Sequence, residues 1–275
     1  MNRPYILTIK SSDIYEIDNI KDVNTLKIKN TLTYAIVILF WLAVWQLIYI
    51  YVGRDILFVS PLTVANKIIE LLPTAKFQEA AIYSLFRIMS GFISGTAAGV
   101  LLGVLTEKIK TADIFLRPAQ ILIKTTPVAS FIILALVWIK NEGSIPVLIS
   151  FLMVLPIVWS NVSKGVESID RDLTEMAEVF KIPFKKRLKG IYIPSVMKFF
   201  FPAFVTSLGL AWKAGIAAEV IVNPNNSIGQ QLRDSQIMLQ TDALFAWTTV
   251  VIILSVIMEK LMLLLLKKWG SKYVS

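Results

Sequence analysis

Cysteine and histidine are both absent from the 275 residues. Without cysteine there is no disulfide framework, no thiolate nucleophile and no thiolate metal ligand. Without histidine the commonest general base and metal ligand is missing as well. An enzyme site would have to be built from carboxylate, Lys, Ser or Tyr groups, and no such cluster stands out along the chain. No G-x-x-x-x-G-K-[ST] sequence occurs, so the chain lacks the usual nucleotide-phosphate loop. Charged residues make up only 17% of the total.

What is present is apolar surface. Hydrophobic residues reach 56% and the mean hydropathy is +0.67, values that point to a membrane protein. Residues 33–52, 81–105, 118–139, 145–163, 200–222 and 243–266 form six apolar segments. Each is long enough as a helix to cross a hydrocarbon core of roughly 30 Å. The expected fold is therefore an all-α membrane protein with six transmembrane helices, occupying 33–266. Residues 1–32 are polar, carry no apolar core with a cleavage site, and are expected to form a cytoplasmic extension; residues 267–275 form a tail. After Gly53, the stretch SPLTVANKIIELLP offers Ser60 as N-cap and Pro61 in the first turn of a short amphipathic helix at the interface.

The second segment carries Gly91, Gly95, Gly99 and Gly103 at four-residue spacing. That spacing lays a groove along one helix face, where a neighbouring backbone can approach closely. In the third segment Lys124, Thr125, Thr126 and Pro127 predict a kinked helix, with hydroxyls to compensate the freed carbonyl and Thr126 as a candidate pathway residue. Pro156 is expected to bend the fourth.

The positive charge is sorted by side. With both termini on one face, Lys and Arg number five in 1–32, three in 106–117, eight in 164–198 and three in 267–275, nineteen in all. The opposite face, 53–80, 140–145 and 223–242, holds five. The excess places both termini in the cytoplasm and accounts for the net charge of +9 without nucleic acid.

Residues 164–198 then form the largest cytoplasmic loop between segments, lying between the fourth and fifth. Leu173, Met176, Ala177 and Phe180 recur at helical spacing and make one apolar stripe on a charged helix. Ile182-Pro183 ends that helix and introduces a second. Five acids, Glu167 to Glu178, come first, and six of the eight basic residues follow.

This loop resembles the EAA loop of permease subunits in bacterial binding-protein-dependent ABC importers, a pattern of E-A-A, three residues, G, nine residues, then I-x-L-P. Glu175-Met176-Ala177 stands at its head, Lys181 occupies the glycine position, and Ile191-Tyr192-Ile193-Pro194 closes it at the same spacing. LFVSPLTVANKIIELL, SLFRIMSGFISGTAAGVLLGVL and AWKAGIAAEVIVNPNNSIGQQL are similar to the nitrate, sulfonate, taurine and bicarbonate branch of these permeases. The resemblance implies a multi-pass subunit of the bacterial inner or plasma membrane. Its implied partners are two ABC ATPase subunits, a second permease copy or paralogue, an extracytoplasmic solute-binding protein, and membrane lipid. No cofactor is implied for this chain, with ATP and Mg bound by the ATPase. Leu173, Glu175, Met176, Ala177, Phe180, Lys181, Ile191 and Pro194 are the implied coupling residues, with Leu173, Met176, Ala177 and Phe180 entering a groove of the ATPase. The solute is not specified. Lys181 departs from the glycine of the pattern: either no positive φ is needed there, or the turn is rebuilt around Ile182-Pro183.

Lys213 and Glu219 lie inside the fifth segment, where charge is costly. Lys213 is a candidate for attracting an anionic solute, and a structural ion pair or snorkelling is the alternative; Glu219 shares the candidate pathway. Arg87, in the second segment, is read as interfacial or structural. A secondary transporter or another channel-like protein without an ATPase is the rival reading, which leaves the Glu175 to Pro194 spacing without a purpose.

Overall fold

The computed structural model describes residue 33 and residues 35–270. The expected extension 1–32 and the end of the tail lie outside the described residues. The described secondary structure is helical, without strands, and divides after Thr63 into two units.

The first unit is built on α1, Ala35–Val52, an apolar helix of 18 residues. Gly53, at φ 61, closes it with its N–H on the carbonyl of Tyr49 at 3.0 Å. Trp45 donates its indole N–H to the carbonyl of Val59 at 3.0 Å. Helix α2, Pro61–Leu71, begins at the end of this unit, with Ser60 Oγ accepting the N–H of Thr63 at 3.1 Å.

The second unit holds the remaining helices. They are α3 (Ala75–Lys108), α4 (Lys110–Thr125), α5 (Val128–Trp138), α6 (Ile145–Glu167), α7 (Arg171–Val179), α8 (Phe184–Arg187), α9 (Ile193–Val222), α10 (Ile228–Ile237) and α11 (Thr241–Gly270). Thr74 caps α3 by accepting the N–H of Phe77 at 3.2 Å. Among the described residues, α1 included, five helical stretches are long and apolar enough to cross a membrane, and the bent pair α4 and α5 makes a sixth if counted as one span.

The central layer is α3 against α6, with α9 packed on α6 and touching α3 through Phe204 on Phe92 and Gly215 beside Ile88. The four glycines of α3 all meet α6. A methyl group added at Gly95 would lie 2.8 Å from the carbonyl oxygen of Phe151, at Gly99 2.8 Å from Cβ of Val158, and at Gly103 2.7 Å from Cβ of Val162. Side chains are excluded there because the two backbones are nearly in contact, which maximises dispersion where lipid supplies no hydrophobic drive. Polar groups pin the same seam: Trp159 Nε1 donates to Thr106 Oγ1 at 2.9 Å and Ser163 Oγ to the carbonyl of Gly103 at 3.1 Å. Ile88, Phe92, Val158, Trp212 and Trp247 fill the main core, and Ile132, Ile145, Ile149, Ala214 and Ala218 fill a second one under α5.

Three elements differ from the sequence expectation. The third segment, expected as one kinked helix over 118–139, is two helices whose axes meet at 105°. Pro127 excludes helical geometry at the residue before it, and Thr126 and Pro127 are both extended, at ψ 129 and 137. The hydroxyls of Thr125 and Thr126 fold back on the carbonyls of Ile121 and Leu122. The fifth segment, expected from 200, is the end of a helical stretch that runs without interruption from Phe184 to Val222. Pro194 would normally break it; a π turn over Leu188–Tyr192, with the N–H of Ile193 on the carbonyl of Leu188, absorbs the missing donor and the ring. Helix α11 likewise continues to Gly270, past the apolar end at 266.

Gly99→Val should lower the stability of the detergent-purified chain by roughly 2 kcal/mol through overpacking of the seam. Gly209→Ala should not, because nothing lies within 4 Å of the added methyl. Thermal unfolding of both variants in one detergent compares them directly.

Candidate functional site

The loop after α6 starts from a capped helix. Asp170 accepts the N–H of Asp172 at 2.8 Å, and Asp172 adds a second acid in the first turn of α7, both suited to the positive end of the helix dipole. At the other end Lys181 donates to the carbonyl of Glu178 at 2.9 Å and Ile182 to that of Ala177 at 2.9 Å. This pair of bonds is a Schellman motif, which requires a left-handed residue at Lys181, and its φ is 49. The position that the family pattern fills with glycine therefore does need positive φ here, and a lysine occupies it under strain. Pro183 then opens α8. Arg187 bridges back to Glu178 at 3.0 Å, so the two short helices are tied across the turn.

The apolar stripe of α7 is split by this arrangement. Ala177 is fully buried against its own chain, while Leu173, Met176 and Phe180 are exposed. Ala177 was expected on the outward face with the other three; its side chain lies instead on the inner edge of the stripe, fully buried, while its carbonyl accepts the N–H of Ile182 in the Schellman turn. Val179, 78% exposed, joins the outward face instead. Its spacing of three from Met176 carried that signal in the sequence. Phe184, exposed on α8, extends the surface. Glu175 is exposed beside it, and Ile191 and Pro194 sit half-buried in the π turn and the start of α9.

Glu219, expected in the pathway, is fully buried in the chain. Its Oε2 accepts the hydroxyl of Ser84 at 2.6 Å and the N–H of Gly229 at 3.2 Å, while Ser84 Oγ also accepts the N–H of Ile228 at 2.9 Å. Arg87 Nη1 lies 3.8 Å from Oε1, and Arg87 Nη2 donates to the carbonyl of Asn225 at 3.0 Å. The carboxylate thus caps the start of α10 and joins it to α3 and α9, with its charge met by a guanidinium and a helix N-terminus. It is an anchor, not a pathway lining. Arg87 holds the structural place expected of it. Ser84 and Gly229 carried no signal, since their role depends on contacts 135 and 10 residues away.

Lys213 points the other way. Pro202, Thr206, Leu210, Lys213, Ala217 and Ile221 form one exposed stripe along α9, whose opposite face is buried. Thr126 is half-buried with its hydroxyl committed to the carbonyl of Leu122 at 2.7 Å. The structure does not bring Lys213 and Glu219 together.

Lys181→Gly should relieve the left-handed strain and raise stability by about 1 kcal/mol, read as a higher unfolding temperature. Glu219→Ala should cost about 2–3 kcal/mol by leaving the Ser84 hydroxyl and the Gly229 N–H without their buried acceptor. Arg87→Ala combined with it should cost less than the sum of the two single variants, as a double-mutant cycle measures.

Comparison with known proteins agrees with this architecture. The chain is 23% identical over 236 residues to the Bacillus subtilis aliphatic sulfonates transport permease protein SsuC, covering 84% of this chain and 85% of that one. It is 25% identical over 204 residues to the nitrate import permease protein NrtB of Synechococcus elongatus, covering 71% and 73%. In fold it is similar to a crystal structure of an amino acid ABC transporter with histidines, at a TM-score of 0.59 and 16% identity, covering 75% of this chain and 97% of that one. Residues 95–270 match the family of binding-protein-dependent transport system inner membrane components. The chain belongs to that family and is a multi-pass permease subunit of the ABC importer class.

Proposed function

We propose that this permease forms, with a second permease copy or paralogue, the pathway for a small oxyanion, and that two separate ABC ATPase subunits drive it through α7. The observation that carries the coupling is the exposed face of Leu173, Met176, Val179 and Phe180 on a helix capped at both ends and tied to α8. Apolar side chains this exposed on a charged loop fit a groove of a partner, and a helix in a groove is a recurrent recognition mode. Glu175 stands at the rim of that face, where a charge fixes register. Because the helical stretch from Phe184 to Val222 is continuous, a displacement of the loop is passed directly to the membrane helix that bears Lys213.

ATP and Mg belong to the ATPase in this reading, and an extracytoplasmic binding protein delivers the solute. The sorting of nineteen Lys and Arg against five supports cytoplasmic termini and a cytoplasmic α7. The names of the related permeases, for sulfonates and nitrate, support an oxyanion. Lys213 on the exposed stripe of α9 supplies a cation at membrane depth for it.

Co-purification with the ABC ATPases of the same cell tests the coupling. Val179→Asp and Phe180→Asp should each weaken ATPase association by more than tenfold, as loss of a buried apolar anchor does. The permease itself should stay folded, since both side chains are exposed. Unchanged association in both variants would contradict the docking face.

A further inference from the structure

The apolar pair of α4 and α6 contains one polar cleft. It has a volume of about 310 Å³ and is walled by Arg117 and Gln120 of α4 and Ser160 and Lys164 of α6, with the acids Glu107, Asp113 and Glu167 on the same lining. We propose that this cleft is a binding site for a small oxyanion, with two inner donors, Gln120 on its wall and Lys124, which reaches that wall at Ser160. The proposal rests on the reading of the chain as an oxyanion permease and names where, on its way through, the solute is held.

The argument begins with Lys124, in the last turn of α4 beside the 105° break. Its ammonium donates to Ser160 Oγ. Gln120 Nε2 donates to the same oxygen at 3.1 Å, and Ser160 gives its own proton to the carbonyl of Pro156 at 2.8 Å. The hydroxyl is saturated, and both nitrogens keep further N–H groups to offer. Among the described residues no carboxylate lies within ion-pair distance of Lys124. Its place at a helix C-terminus supplies only about half a counter-charge. A charged side chain on a membrane segment without a full partner marks a solute path. An oxyanion meets the requirement, since it brings a full negative charge and several acceptor oxygens to a cluster made of donors.

The acids around the cleft do not cancel this. Asp113 is paired with Arg117 at 2.7 Å. Glu107 and Glu167 lie near the ends of α3 and α6, one or more turns further along than Ser160 and Gln120. Lys164 faces the same space. The inner end is therefore cationic and the mouth mixed. The volume is several times that of a water molecule, about 30 Å³, enough for a small oxyanion with part of its hydration.

The chain has no cysteine, so a single thiol reports on the cleft without interference from the rest of the subunit. In the full importer complex in lipid nanodiscs, Gln120→Cys is reacted with methanethiosulfonate reagents bearing either a sulfonate or an ammonium group. The sulfonate reagent should be favoured about tenfold over the ammonium one, relative to free cysteine, because of the neighbouring cations. Nitrate or ethanesulfonate should slow the reaction when exchanged for chloride at equal ionic strength, and Lys124→Met should abolish both effects. A position 120 that stays unlabelled while Lys164→Cys labels, or that labels without regard to reagent charge, overturns the proposal. If Lys124→Met does not assemble, the charge ratio with Lys124 intact decides alone. Uptake by the wild-type complex separates the two readings. If neither nitrate, bicarbonate nor ethanesulfonate is imported while position 120 still selects the anion, the substrate reading fails and the site stands. If import proceeds and position 120 is blind to charge, the site fails and the substrate reading stands.

Discussion

Two helices in lipid gain nothing from leaving it for each other, so their association depends on how closely their backbones can approach. In this permease that condition is met along the seam of α3 and α6, where four glycines remove the side chains that would hold the helices apart. Everything else in the second unit is positioned by that seam. Helix α9 packs against α6 and α3 together, α5 packs on α6 and α9, and α11 reaches the core through Val250 and Trp247. The loop from α7 to α8 leaves from the end of α6 and returns into α9, so the two ends of the candidate coupling element are fixed to the most tightly packed part of the chain.

The polar groups on the membrane segments divide by what they meet. Glu219 and Arg87 form an ion pair at 3.8 Å beside the start of α10, and Glu219 holds that short helix to two long ones through Ser84 and Gly229. Lys213 and Lys124 have no such acid partner among the described residues, and each lies on a surface that a solute or a neighbour can reach. Burial, not the presence of charge, separates anchor from pathway candidate. The sequence shows charge at depth but not burial, which is why Glu219 and Lys213 look alike before the structure is seen.

How much was legible follows from the range of the interactions. Apolar runs, the four-residue glycine spacing and the i, i+3, i+4, i+7 stripe of α7 are local patterns, and the helices built from them appear where the pattern lies. The turn at Lys181 was half legible: Ile182-Pro183 announced the stop, and only the backbone shows that a lysine bears the left-handed conformation. The extent of the helical stretch from Phe184 to Val222 was hidden because Lys189 and Lys198 interrupt the apolar signal without interrupting the helix. The 105° break exceeded the expected kink because two successive residues, not one, leave helical geometry at Pro127. The capping of α10 by Glu219 through Ser84 and Gly229 depends on distant segments, and no local pattern could disclose it.

The central claim is that the outward face of α7 is where an ATPase holds this subunit. With no native cysteine, Phe180→Cys places one thiol on that face, and a short bifunctional thiol reagent can be applied to membranes that contain the whole importer. The account predicts a cross-link to an ATPase subunit whose yield changes when ATP and Mg are added, and none from an equivalent cysteine at the buried Ala177. A thiol at 180 that stays freely reactive and uncross-linked in an importer that still hydrolyses ATP and transports would contradict it.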